Sequence, residues 1–92
     1  AGRIRQQRDL RGIDEVEDGV FRIAGHAEMS EVAAALGVEI DTSGRTAAGL
    51  VIERLGELPR VGSSVTTAGY TFRVAQVDHF RIVWLDVARQ EP

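Results

Sequence analysis

Residues 46–78, TAAGLVIERLGELPRVGSSVTTAGYTFRVAQVD, pass from a helical to an extended apolar period within one stretch, and that change decides the fold. Thr46 stands where a helix N-cap belongs, although position 49, where a capping box would carry Glu or Gln, is glycine. Ala48, Val51, Ile52 and Leu55 share one helical face, which Ala47 and Leu50 widen, so the spacing predicts a deeply buried helix. Gly56 and Pro59 end it. Gly49 inside that helix costs about 1 kcal/mol relative to alanine, a cost that is rational where another backbone passes close by. After Gly62 the chain alternates: Ser64–Thr67 and Tyr70–Asp78 read as strands joined through Ala68-Gly69. Tyr70, Phe72 and Val74 keep one phase while Ala75 and Val77 take the other, which predicts a β-bulge near Ala75 or Gln76.

Downstream, Asp78-His79-Phe80 leads into a third strand, Arg81–Ala88. Upstream, the β-branched and aromatic Val20-Phe21-Arg22-Ile23-Ala24 suits a strand stopped by Gly25. Met29, Val32, Ala33 and Leu36 then recur at helical spacing, with Glu28 and Glu31 in the first turn and Gly37 at the stop. Val38-Glu39-Ile40 is expected as a short extended piece, and residues 41–45 as a loop. Residues 1–19 hold only Ile4, Leu10, Ile13 and Val16 as large apolar side chains among charges, and read as a polar linker or disordered tail. Residues 20–90 remain as one domain. The elements predict an α+β fold, two helices packed on a mainly antiparallel sheet, in the order β-α-α-β-β-β.

A domain of about 70 residues buries only about 60% of its unfolded-chain surface, so its stability is small. Without cysteine there are no disulfides or thiolate metal sites to reinforce it. The net charge is −3, and all 11 basic residues are arginine. The one dense basic cluster, Arg3, Arg5, Arg8 and Arg11, is followed at once by Asp14, Glu15, Glu17 and Asp18. Opposite blocks side by side describe a solvated linker, and no nucleic-acid partner is expected. The longest apolar run, Ala47 to Ile52, falls far short of the roughly 20 residues of a membrane helix, so no direct membrane insertion is expected and the piece reads as soluble. Its first residue is not methionine and no secretory signal precedes the domain, which reads as a fragment of a longer protein.

Thr46, Gly49-Leu50-Val51, Leu55-Gly56, Leu58-Pro59, Gly62, Phe72 with Val74, Val77-Asp78 and Arg81-Ile82 fall in an order that resembles the CorC/HlyC transporter-associated domain. The likeness runs from about Val20 to Val87 and departs from the family at Gly25-His26-Ala27-Glu28, where a proline and an aspartate-rich start are common, and at Val83-Trp84, where charges are common. The resemblance implies the last cytoplasmic module of a CNNM/CorC-type magnesium and cobalt efflux protein of the haemolysin-like group. It implies a preceding CBS-domain pair and a transmembrane domain as partners in the same chain, at the cytoplasmic face of the membrane. It also implies a regulatory or interaction role, modulating transport or assembly, rather than an enzymatic one. The family's fold is similar to a subdomain of PCMH-type FAD-binding proteins, so binding of FAD or an adenine nucleotide is the alternative reading.

The residues offer little chemistry. His26 and His79 sit in predicted turns with no cysteine anywhere, which suits solvated histidines and not a catalytic group. Gly44, Arg45 and Thr46 precede a helix N-terminus, where free amides favour an anion, and are the cofactor-binding candidates. Glu39 and Asp41 are the metal candidates as hard oxygen ligands, against the simpler reading of a solvated acidic loop. Phe80 and Trp84 are the expected interaction surface: if Ile82, Leu85 and Val87 point inward across a second irregularity, Trp84 lies outside and a weak homodimer forms near it, whereas under strict alternation Trp84 packs into the core with Ile82. Arg73, Arg81 and Asp86 are expected to guard the strand edges by charge.

Overall fold

The computed structural model describes residues 11–90. Seven elements follow in the order β1 (Ile13–Glu17), β2 (Val20–Ala24), α1 (Met29–Leu36), α2 (Ala47–Leu55), β3 (Ser64–Thr67), β4 (Tyr70–Asp78) and β5 (Arg81–Arg89). The strands form one sheet in the order β1-β2-β5-β4-β3, and every neighbouring pair is antiparallel. This is the α+β fold that the sequence predicts, with one more strand. β1 lies inside the stretch read as polar linker: Ile13 is buried beside Ile23, and Asp18-Gly19 closes a hairpin with Gly19 at φ 79°. The domain therefore starts before Val20. Three charged residues in the strand mask its signal, because an edge strand needs only one buried side chain here. Residues 1–10, the rest of that stretch, lie outside the described residues.

Both helices cover one face of the sheet. Phe72, Val74, Leu85, Val87 and Ile23 point into the core and meet Val32 of α1 with Leu50 and Val51 of α2. Gly37 caps α1 in the left-handed conformation at φ 73°, and Gly56 does the same for α2, as their places in the sequence require. The buried stripe of α2 is Ala47, Leu50 and Val51. Ile52 is 43% exposed and Leu55 only half-buried, so the expected inner face is turned toward Ala47. Two loop bonds set that rotation: Ala47 N–H donates to Ala27 O at 2.9 Å and Ala48 N–H to Gly25 O at 2.9 Å. Gly49 makes the close approach expected of it, with Gly44 Cα 3.4 Å from where its Cβ would be. Val38-Glu39-Ile40 forms no strand.

Between Val74 and Val77 the β4–β5 register slips twice, once around Ala75 on β4 and once around Val83 on β5, and then returns to its original value. The paired slips keep Val74, Leu85 and Ile82 on the core side and bring Val77 back against it, while Trp84 stays on the other face opposite Ala24. Gly25 N–H donates to Val83 O at 2.9 Å, tying the end of β2 to the bulged residue.

Candidate functional site

The turn before α2 holds Gly44, Arg45 and Thr46, and its polar groups are taken up within the chain. Thr46 Oγ1 accepts from Gly49 N–H at 3.1 Å, and Thr46 O accepts from Leu50 N–H at 3.0 Å. With Ala47 and Ala48 donating to Ala27 and Gly25, each of the first four amides of α2 has an intrachain acceptor. Arg45 is exposed, and its carbonyl accepts from Met29 N–H at 2.8 Å. An anion at this turn finds no free amide among these four.

Glu39 and Asp41 are both exposed on the loop between the helices. The Asp41 main-chain carbonyl accepts from Arg54, which also donates to Thr67 Oγ1 at 3.2 Å, so α2 is tied to that loop and to β3. Thr42 Oγ1 donates to Glu53 Oε1 at 2.6 Å and accepts from Gly44 N–H at 2.9 Å. The Thr42 hydrogen bond, aided by Ser43 and Arg54, holds the Glu53 carboxyl below its ordinary value. Among the described residues no group of three or more His, Asp or Glu side chains is placed to hold a metal ion. His26 and His79 occupy separate exposed turns.

Phe80 sits at the tip of the β4–β5 hairpin and is 67% exposed. His79 and Phe80 both have positive φ, 53° and 67°, the backbone of a two-residue hairpin turn that normally takes Asn-Gly. Trp84 lies on the face that no helix among the described residues covers, hereafter the helix-free face, half-buried, with Ala24 and Gln76 as its cross-strand neighbours. The two aromatics thus occupy a hairpin tip and an open sheet face, and Trp84 is outside the core cluster.

That open face carries the feature the sequence reading missed. Arg22 of β2 donates from Nε and Nη2 to Asp86 Oδ1 of β5 at 3.1 and 2.9 Å, and Asp86 lies opposite Arg73 of β4. Arg73 and Asp86 therefore sit in interior strands and do not guard an edge; the edge strands are β1 and β3. The signal was present in the alternation, because Arg22, Arg73 and Asp86 each stand between two buried apolar residues: Phe21 and Ile23, Phe72 and Val74, Leu85 and Val87. Beside this row lies a shallow depression lined by Val20, Thr71, Ala88, Arg89 and Gln90.

Among the described residues no helix is long and apolar enough to cross a membrane. Comparison with curated proteins finds no match. Among solved structures, the fold is similar to a region associated with a Mg2+ and Co2+ transporter (CorC) from Neisseria meningitidis MC58, at 33% identity, TM-score 0.79, over 85% of this chain and 98% of that one. It is also similar to the CorC_HlyC domain of a Xylella fastidiosa Temecula1 hemolysin, solved in complex with Mg++ and Mn++, at 30% identity, TM-score 0.77, over 87% and 99%. A third likeness, at 27% identity and TM-score 0.74 over 87% and 99%, is to the transporter associated domain of a CBS domain protein from Porphyromonas gingivalis. The CorC_HlyC model, described as a transporter associated domain, matches residues 14–91, starting within β1 and running past the end of β5. With sheet order, capped helices and sequence in agreement over that span, the chain belongs to the CorC_HlyC family of transporter associated domains.

Proposed function

We propose that this domain is a non-enzymatic regulatory or interaction module of a CorC-type magnesium and cobalt efflux protein, acting on transport or assembly from the cytoplasmic side. It follows a CBS-domain pair in a longer membrane protein. The family match over residues 14–91 carries this reading, and the CBS domain protein among its structural relatives supports the arrangement. The fold supports it too, since the helices cover only one face of the sheet and the other presents a half-buried tryptophan and a row of charges. Surfaces of that kind serve contact more readily than chemistry. Phe80 and Trp84 are the proposed contact residues.

The test compares the full-length transporter with one lacking residues 12–90, measuring magnesium or cobalt efflux, abundance in the membrane and oligomeric state. A change in at least one is expected. Identical flux, stability and assembly would remove the regulatory reading.

A further inference from the structure

Registers across the helix-free face place Asp14 opposite Arg22, Arg22 opposite Asp86 and Asp86 opposite Arg73. From β1 to β4 the signs run minus, plus, minus, plus. On one side of this row lie Val20, Ala88 and Thr71, and on the other Ala24, Trp84 and Gln76. The depression lies over the row of Val20 and Ala88, with Arg73 and Arg89 among its lining residues.

Two copies meeting face to face are related by a twofold axis lying in the plane of the face, and the charge row distinguishes its settings. An axis along the row would set Arg22 on the partner's Arg22 and Asp86 on the partner's Asp86, which repels. An axis parallel to the strands, between β2 and β5, sets Arg22 on the partner's Asp86 and Asp14 on the partner's Arg73. Each meeting occurs twice, and all are between opposite charges. The same operation lays Val20 over the partner's Ala88, and brings Trp84 above the partner's Ala24, which is buried within its own chain beside Gly12. Two such faces can close to about the 10 Å of packed sheets. Aligned sheets cross at about 30°, which displaces the outer Asp14–Arg73 meeting by about 3.5 Å, within the reach of an arginine side chain.

We propose that the helix-free face pairs with the same face of a second copy of this chain about a twofold axis parallel to the strands, with the Asp14–Arg22–Asp86–Arg73 row setting the register. The inference stands on the sheet alone and holds whether or not the domain regulates transport. The axis superposes four strands, β1, β2, β5 and β4, about 4.8 Å apart, and with three rows about 6.7 Å apart they give an overlapping face on the order of 400 Å² per copy. That lies below the roughly 1,200 Å² total of stable complexes, so the isolated domain forms a weak dimer. Two chains already held together elsewhere would pair strongly through effective concentration.

Charge exchange tests the register. Arg73→Asp faces the partner's Asp14 with a like charge, and Asp14→Arg faces the partner's Arg73 with one, so each variant alone should self-associate at least about tenfold more weakly than the parent. Mixed in equal amounts the two variants restore both meetings, and Asp14→Arg with Arg73→Asp in one chain restores them as well. Sedimentation at concentrations up to about 1 mM reads association, and emission of Trp84, the only tryptophan, reports closure of the face. Circular dichroism confirms that each variant is folded. Recovery of association in the mixture to within about threefold of the parent is the expected result. A monomeric parent, single variants that associate as the parent does, or a folded mixture that stays monomeric would each overturn the proposal.

Discussion

Gly25→Ala should be among the most damaging single-methyl changes in this chain. A Cβ at position 25 would lie 2.0 Å from Ile82 O and 3.0 Å from the Ile82 carbonyl carbon. Both atoms are backbone, so β2 and β5 must separate by more than an ångström to restore van der Waals distance. The displacement strains the bond from Gly25 N–H to Val83 O and the bond from Ala48 N–H to Gly25 O, which fixes the start of α2. Overpacking costs about 1–3 kcal/mol. Two hydrogen bonds add about 0.5–1.5 kcal/mol each, for a loss of roughly 2–6 kcal/mol. At about 0.05–0.15 kcal/mol per residue the whole domain is stable by about 4–12 kcal/mol, so the change removes about half of that stability and unfolds the domain only where the total lies near the lower bound. Gly56→Ala is the control, because position 56 has φ 73° and no atom within 4 Å of a Cβ. It isolates backbone strain of about 1–2 kcal/mol. Urea unfolding followed by circular dichroism measures both. If Gly25→Ala costs no more than Gly56→Ala, the account of the β2–β5–α2 junction is wrong.

Phe72→Ala, in the fully buried centre of the sheet, should cost about 3–5 kcal/mol by urea midpoint. Leu55→Ala, at a half-buried helix end, should cost less than half as much; equal losses would contradict the observed rotation of α2. Replacing His79-Phe80 by Asn-Gly relieves two left-handed residues and should raise stability by about 1–3 kcal/mol, whereas a drop in melting temperature would mean that Phe80 packs. The lowered pKa of Glu53 contributes stability above the ordinary glutamate value of about 4.3, lost as the pH falls through the lower folded value. Glu53→Gln should therefore flatten the pH dependence of the melting temperature on the acid side of that value, and an unchanged acid limb would exclude the Thr42–Glu53 contact as its source.

Much of this fold is legible from local spacing. Gly37, Thr46 and Gly56 mark helix ends through backbone requirements that depend on no distant partner, and the Val74–Val77 phase change announces its bulge. The spacing leaves Trp84 open between core and exterior, and the compensating slip at Val83, which lets Ile82, Leu85 and Val87 all face inward, places it outside. What the spacing does not show is set by tertiary contact. The rotation of α2 follows from bonds to Ala27 and Gly25, twenty or more residues away, and β1 is a strand because β2 pairs with it despite its charges. The charge row is of the same kind: Arg22, Arg73 and Asp86 stand in three separate segments, and only the register makes them neighbours.

Efflux of magnesium or cobalt per transporter molecule in the membrane, measured for the full-length protein carrying either Gly25→Ala or Gly56→Ala, tests most directly whether the folded module governs transport. Both changes add one methyl group and replace no side chain of the open face, but only the first is expected to force β2 and β5 apart and remove about half of the domain's stability. The account predicts that Gly25→Ala shifts efflux or assembly toward the defect of the domain-deleted protein while Gly56→Ala behaves as the parent. Equal efflux and assembly for the parent, both variants and the deletion would contradict it.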